Sequence, residues 1–315
     1  MILITGGMGF IGLHTARRFL DVGEEVVITR FRARREPDFI RDELGRRVQV
    51  ADLDITDGAA LQAIVKQHRV DGIVHLAVPG LGALPPAEEY RANMVGLLNV
   101  LEAAREAGVR RVTLASSIAV YGGLRQGPFQ ESAPLPVAST SPTEAYKKAF
   151  EVLGLHYADR TGLDVVALRI GGIYGPLYHS MANLPSRMCH AAVQGRPVDY
   201  TGARGGEPYA EDATDWCYVK DCARGIQLVH MAERLSYRVY NLGGGRAVRN
   251  AELAAAVCKV VPEAQISLRP GSGPRAARDA YMALDRIRQD TGYEPAYDIE
   301  RGVAEYIEWL RHHPQ

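Results

Sequence analysis

Met1-Ile2-Leu3-Ile4-Thr5-Gly6-Gly7-Met8-Gly9-Phe10-Ile11-Gly12 opens the chain, and the reading of these twelve residues decides the fold. Met1–Ile4 is a short apolar run, long enough for a strand and too short for a helix. It breaks at Thr5-Gly6-Gly7. A helical pattern follows from about Gly12 to Val22, and Val26–Thr29 is a second apolar run with two adjacent valines. Strand, glycine turn, helix and strand within about 30 residues make a βαβ unit. Gly6, Gly9 and Gly12 occupy the TGxxGxxG positions of such a unit. Gly6 and Gly9 would let backbone amides approach a pyrophosphate, and Gly12 would let helix and strand pack closely. Phe10 and Ile11 open a helix whose N-terminus carries partial positive charge. A glycine turn without a ligand is the plainer alternative. The strand before it and the helix after it favour a dinucleotide.

The end of the second strand distinguishes NAD from NADP. An acid there hydrogen-bonds the ribose 2′-hydroxyl, whereas an arginine suits a 2′-phosphate. Arg30 holds that position, with Arg32, Arg34 and Arg35 behind it. The expectation therefore tilts towards NADP over NAD, with a solvated charged loop as the alternative.

Beyond this unit the alternation continues. Strands are expected at Val48–Ala51, Gly72–Ala77, Val112–Ala115 and Val165–Arg169, and helices at Asp57–Gln67, Tyr90–Ala107 and Pro142–Arg160. Repeated βα units predict an α/β fold, a Rossmann-type doubly wound parallel sheet. After Gly171 glycine, proline and polar residues become frequent. Helices are expected near Pro185–Gln194, Val219–Ala232, Asn250–Val260 and Asp298–Arg311, with a strand near Val239–Leu242. The expected division is a dinucleotide-binding domain at 1–170, joined by a returning segment at about 215–245. A smaller C-terminal substrate-binding lobe takes 171–214 and 246–315.

Bulk composition excludes several classes. Lys plus Arg and Asp plus Glu both number 37, so formal net charge is zero. Neither a nucleic-acid nor a membrane-surface partner is expected. No apolar run approaches the roughly 18 residues of a membrane span. The first residues lack a basic leader, so no secretory signal is expected. Cys189, Cys217, Cys222 and Cys258 form no CxxC pair and no metal-ligand spacing. Reduced thiols, a cytoplasmic setting and no metal follow.

Further segments carry a resemblance. Asp52-Leu53 follows the third strand, Leu76-Ala77-Val78 the fourth, and Asn93 lies three residues before Gly96. Ser116-Ser117-Ile118-Ala119-Val120-Tyr121-Gly122 reads SSxxVYG. Arg169 precedes Ile173-Tyr174-Gly175-Pro176, and Asp215–Asp221 reads DxxxVxD. In these the chain resembles the extended short-chain dehydrogenases/reductases of the NAD-dependent epimerase/dehydratase family, of the UDP-galactose 4-epimerase type. The resemblance covers nearly the whole chain. It implies that Asp52 and Leu53 face the adenine, that Leu76, Ala77 and Val78 contact ribose and pyrophosphate, and that Asn93 supports the cofactor.

That family's chemistry uses a serine or threonine, a tyrosine, and a lysine four residues after the tyrosine. The resemblance makes Ser117 the hydroxyl residue. Tyr146, however, is followed four residues later by Phe150. Glu151 and Thr161-Gly162-Leu163-Asp164 align when Lys147 is the catalytic, ribose-holding lysine, and the tyrosine position is then Thr143. Three readings remain open. Tyr146 acts as acid/base from a neighbouring helical position; Thr143 orients the substrate while another group moves the proton; or cofactor and substrate bind with little redox turnover.

The family's 4,6-dehydratases carry an Asp-Glu pair after the hydroxyl residue, where Ile118 and Ala119 stand here. The segment is epimerase-like, which implies hydride transfer at a carbinol or keto carbon of a sugar or sugar-like substrate. Two nucleotide-sugar markers are replaced, an arginine by Thr214 and an asparagine by Gly172. Asn183, Arg187, Arg269 and Arg275 are substitute substrate contacts. A small hydroxy or keto acid handled by an NADP(H)-dependent dehydrogenase or reductase is the second hypothesis, and a cofactor-binding protein the third. By resemblance the helices at 90–107 and 142–160 form a homodimer interface, with Leu97, Leu101, Leu153 and Leu155 as apolar contacts.

Overall fold

Strand-forming residues here come in runs that are apolar on both sides, because both faces of the sheet are covered. The computed structural model describes residues 1–32, 35–79, 84–203, 206–274 and 276–313, which leaves Arg34 and Arg275 outside the described residues. The chain begins β1 (Ile2–Thr5), α1 (Phe10–Asp21), β2 (Val26–Arg30), α2 (Asp38–Arg41) and β3 (Val48–Asp52). It continues α3 (Gly58–Gln67), β4 (Gly72–His75), α4 (Pro86–Ala107), β5 (Arg111–Ser117), α5 (Pro142–Thr161) and β6 (Val165–Ile170). A 3-10 turn, Ile118–Tyr121, follows β5.

The remainder is β7 (Gly172–Tyr174), α6 (Leu184–Val193), β8 (Ala213–Thr214), β9 (Trp216–Tyr218), α7 (Val219–Met231) and β10 (Val239–Leu242). Then come β11 (Val248–Arg249), α8 (Asn250–Val260), α9 (Asp285–Thr291) and α10 (Ile299–His312). Seven parallel strands form one sheet in the order β10-β6-β5-β4-β1-β2-β3. The chain works outwards from β1 to β3, then crosses back to place β4 on the other side of β1. This reversal leaves a crevice beyond the carboxyl ends of β1 and β4.

Side chains alternate between the two faces of each strand. Ile2, Ile4 and Ile28 pack with Leu13 and Phe19 of α1 and Ile226 and Val229 of α7. Leu3, Val27 and Ile73 pack on the opposite face with Leu61, Leu97, Leu101 and Phe150 from α3, α4 and α5. The expected doubly wound sheet is present. A third cluster, with Met188, Leu253, Val257, Val303 and Ile307, joins α6, α8 and α10. Two small sheets, β7 with β9 and β8 with β11, accompany it. Helix α4 starts at Pro86, four residues before the expected Tyr90, because Pro85 and Pro86 set its first turn. Leu97 and Leu101 are buried in the chain's own core, so these two do not offer an intermolecular face. Among the described residues no helix is long and apolar enough to cross a membrane.

Candidate active site

Gly6 adopts φ +66°, and a Cβ there would stand 3.0 Å from the Ala77 backbone. A Cβ on Gly12 would stand 2.5 Å from the Gly6 carbonyl and 2.6 Å from Gly7 Cα, so α1 presses directly on the loop. Gly9 differs: its Cβ would meet only the Gly6 carbonyl oxygen, at 3.0 Å. Gly9 is the N-cap of α1, with no side-chain cap and no acid in the first turn. The first-turn amides, those of Phe10 and Ile11 among them, have no acceptor within the helix and form a site for a pyrophosphate. Beside the loop is a cleft of about 370 Å³, lined by Gly6, Thr29, Phe31, Leu53, Ile55, Ala77 and Pro79, with Arg32 and Arg91 on its wall. These residues fit a dinucleotide: at Gly6 and Gly12 there is no room for a side chain, and the cleft adjoins the loop at Gly6.

Arg30 and Asp52 are bound to each other across the ends of β2 and β3. The Arg30 Nε and Nη2 donate to the two Asp52 oxygens, both at 2.7 Å. The expected free arginine at the ribose is thus half of a two-pronged ion pair, and the tilt towards NADP finds no support in it. Leu76 packs against the core on the α1 face and Val78 on the α4 face. Buried Asn93 donates to the carbonyls of Pro79 and Glu89, each at 2.8 Å, fastening the loop after β4 to α4.

The carboxyl end of β5 delivers two serines of opposite fate. Ser116 Oγ points inwards and donates to Glu151. Ser117 Oγ accepts from the Ala119 amide at 3.1 Å, which leaves its own proton free to donate. Ser141 caps α5, and Pro142 occupies its first turn. Lys147 is 6% exposed and donates from Nζ to the Ala115 carbonyl. Burial pushes its ammonium down to about 7. Thr143 is half-buried one turn earlier on the same face. Tyr146 lies towards α4, with Glu89 and Tyr90 as its electrostatic neighbours, and burial raises its phenol above the usual value. Ser117 ends β5, Lys147 reaches the Ala115 carbonyl of the same strand, and Tyr146 faces the side that packs on α4.

Of the expected substrate contacts, Asn183 caps α6 by accepting from the Ser186 amide at 2.8 Å, and donates to the Ile173 carbonyl at 2.7 Å. Arg187 donates to the carbonyls of Asp199 and Thr201. Arg269 lies over the Tyr209 ring, 3.9 Å from Glu207. Arg275 lies outside the described residues. Gly172 has a physical reason to lack a side chain: a Cβ there would stand 2.6 Å from the Trp216 ring.

Sequence reasoning missed the polar network beneath the site. Arg169 Nη2 donates to Glu151 at 2.7 Å, and its Nη1 to the Tyr121 hydroxyl at 2.9 Å. Tyr121 in turn donates to Asn241 of β10 at 2.7 Å. An arginine inside a strand otherwise apolar was the available signal, since a buried guanidinium requires a carboxylate. A larger cavity, about 660 Å³, lies behind α1, between α7 and α10. It shares no residue with the glycine loop, Ser117 or Lys147; among its lining charges Arg17 pairs with Asp21 and Lys220 with Glu305, while Arg18 donates to Gln227.

The sequence profile described as the NAD dependent epimerase/dehydratase family matches residues 2–243. The chain is 30% identical to a dTDP-glucose 4,6-dehydratase of Streptomyces griseus, over 99% of this chain and 94% of that one. It is 27% identical to a UDP-glucose 4-epimerase of Lacticaseibacillus casei, over 100% and 98%. The solved structure of UDP-glucose 4-epimerase from Thermotoga maritima with UDP-glucose superposes with a TM-score of 0.83 at 23% identity, over 99% and 98% of the two chains. MoeE5 in complex with UDP-glucuronic acid and NAD superposes at 0.80 and 27% identity, over 99% of each.

Proposed function

Because the chain belongs to the NAD dependent epimerase/dehydratase family, we propose that it is an epimerase-type enzyme acting at a carbinol carbon of a sugar nucleotide or a sugar-like substrate. The cofactor is NAD, held by the loop of Gly6, Gly9 and Gly12, by the Leu53–Ala77 cleft and by Lys147. When bound, its nicotinamide accepts and returns the hydride. Ser117 donates to the substrate oxygen. The division of labour is a cofactor domain at 1–170 with 215–245 and a substrate lobe from 171–214 and 246–315.

The observation that carries epimerase over 4,6-dehydratase is the 3-10 turn after Ser117. Ile118 there packs into the apolar cluster of Val120, Tyr121 and Phe129. Neither Ile118 nor Ala119 can give or take a proton, and elimination of water needs groups that do both. The named relatives act on or bind UDP- and dTDP-sugars, which supports a nucleotide-sugar substrate. Thr214 and the Trp216-filled position at Gly172 support a different set of substrate contacts from theirs.

NAD is favoured over NADP because Asp52 occupies two donors of Arg30. Four free cysteines, three of them buried, support a reducing, cytoplasmic setting. Exposed Tyr90 and Leu98 of α4 and Val152 and Leu153 of α5 support a homodimer through these helices, which light scattering checks. The test of function is to incubate the protein with NAD and UDP-glucose, UDP-glucuronic acid or dTDP-glucose and follow the sugar by proton NMR. A 4-epimer is expected with no net reduction of NAD. A 4-keto-6-deoxy product would overturn the epimerase reading.

A further inference from the structure

We propose that the cavity of about 660 Å³ between α1, α7 and α10 is a second ligand site, suited to a nucleoside monophosphate, with a flat ring at one end and an anion at the other. Its volume is that of a small-molecule pocket. It has no wall in common with the glycine loop, Ser117 or Lys147, so it does not depend on which reaction the chain performs.

The cationic end follows from which charges are already taken. The carboxylates that line the cavity each have their own donors. Asp21 accepts from Arg17 at 2.8 Å. Asp221 accepts from the amides of Ala296 and Tyr297 at 2.9 to 3.0 Å. Glu305 binds Lys220 and the Tyr297 hydroxyl, and Glu308 binds His312. Two guanidinium groups are left over. Arg18 spends its Nε on the side-chain oxygen of Gln227, 3.0 Å away, and among the described residues no carboxylate pairs with it. Arg224 reaches Asp221 only at 3.5 Å. Gln227 follows Arg224 by three residues on α7, so the two share a helix face, and Arg18, crossing from α1, arrives one turn from Arg224. Both arginines are half-buried. Such guanidinium forks on facing helices, short of counter-charge, suit an oxyanion that can accept two hydrogen bonds from each.

The other end is aromatic. The Phe39 ring stacks on His14, with centroids 4.9 Å apart, and stands 6.0 Å from the Trp309 ring at 58°. His14 Nε2 is engaged with the Pro176 carbonyl at 3.0 Å, so His14 serves this wall as a ring and not as a hydrogen-bonding group. Rings set at such angles offer faces and edges to a further flat ring. His14 and Arg18 are four residues apart on α1, which separates the aromatic wall from the guanidinium by about 6 Å along the helix. A nucleoside monophosphate has this layout, because a sugar holds its base and its phosphate apart. An anion attached directly to a ring does not span the two ends, and inorganic phosphate leaves the aromatic wall uncovered.

The chain has two tryptophans, Trp216 and Trp309, and of these Trp309 lines the cavity. Protein labelled with 5-fluorotryptophan therefore gives two ¹⁹F resonances, assigned with Trp309→Phe. Saturating NAD keeps the dinucleotide cleft occupied. UMP and AMP present a pyrimidine and a purine. At least one of them is expected to shift the Trp309 resonance saturably, with a dissociation constant below about 1 mM, and to leave the Trp216 resonance in place. The matching nucleoside and inorganic phosphate should each bind at least about tenfold more weakly, and Arg18→Gln and Arg224→Gln should each weaken the nucleotide by about the same factor. A Trp309 resonance unmoved by both nucleotides up to about 10 mM overturns the proposal. A shift confined to Trp216 does so too, since it marks binding beside Gly172 instead. Nucleoside or phosphate binding as tightly as the nucleotide, or full affinity in both arginine variants, also overturns it. The comparison of nucleotide, nucleoside and phosphate uses the native protein, so it decides the matter even where an arginine variant fails to fold. Failure of every sugar nucleotide in the NMR assay overturns the functional reading instead and leaves this site standing.

Discussion

Asp52 shows how one carboxylate can decide what its neighbour recognises. By resemblance it faces an adenine, and Arg30 stands at the strand end where an arginine suits a ribose phosphate. In the structure each binds the other through two hydrogen bonds of 2.7 Å. Both partners sit at strand ends in partial contact with water, so the pair adds little stability. Its consequence is selectivity, because two donors of Arg30 are already committed. Asp52→Asn removes the charge that holds them. Affinity for NADP relative to NAD is expected to rise roughly tenfold, read by calorimetric titration of each cofactor. An unchanged ratio would show that Arg30 plays no part in reading the ribose. No sequence pattern revealed the pair, because register places the ends of β2 and β3 side by side (Arg30 opposite Asp52) only in the folded sheet.

Among the elements, β1 and α1 were the most legible. A strand buried on both faces must be a continuous apolar run, and Ile2–Ile4 of β1 is one. A helix pressed against its own entry loop needs glycine at the contact, and Gly12 is there. Gly12→Val would drive side-chain atoms into the Gly6 carbonyl and Gly7 Cα. Backbone cannot move aside as a flexible side chain can, so a loss of about 1–3 kcal/mol is expected. Urea unfolding should show that loss, together with the disappearance of NAD binding. Retained NAD affinity would mean that the loop does not form the pyrophosphate site. The less legible elements share a cause. Helix α9, with seven residues, and the two-residue strands β8 and β11 are too short to carry a period. They exist because neighbours hold them: buried Asp215 accepts from the amides of Met282 and Gly244, bringing distant loops together. The direction of Tyr146 was not legible, because it depends on where α4 packs.

For the whole molecule, acid should be the weak side, and the reason lies in three histidines buried in different layers. His14 contacts Pro176 behind α1, His75 sits under Lys147, and His230 bonds Thr113 beneath the sheet. Burial lowers them to about 4, about 3 and about 3 respectively. In the unfolded chain each returns to about 6.5. Between the folded and unfolded values the unfolded chain binds more protons, so stability rises with pH across this window and is lost as pH falls from about 6.5. Asp215 works the other way. Burial raises it to about 6, so between its unfolded value and 6 it is the folded chain that carries the extra proton. Three histidines against one aspartate leave a net of roughly two protons near pH 5. The slope there is therefore on the order of 3 kcal/mol per pH unit. The unfolding temperature is expected to drop steeply between pH 6 and 5, by calorimetry. The accompanying spectroscopic signature is that the ring-proton resonances of His14, His75 and His230 stay in their neutral positions down to pH 5 in the folded protein. Titration of these rings near 6.5 in the folded state would show that the sheet's layers admit water and would remove the basis for the acid sensitivity.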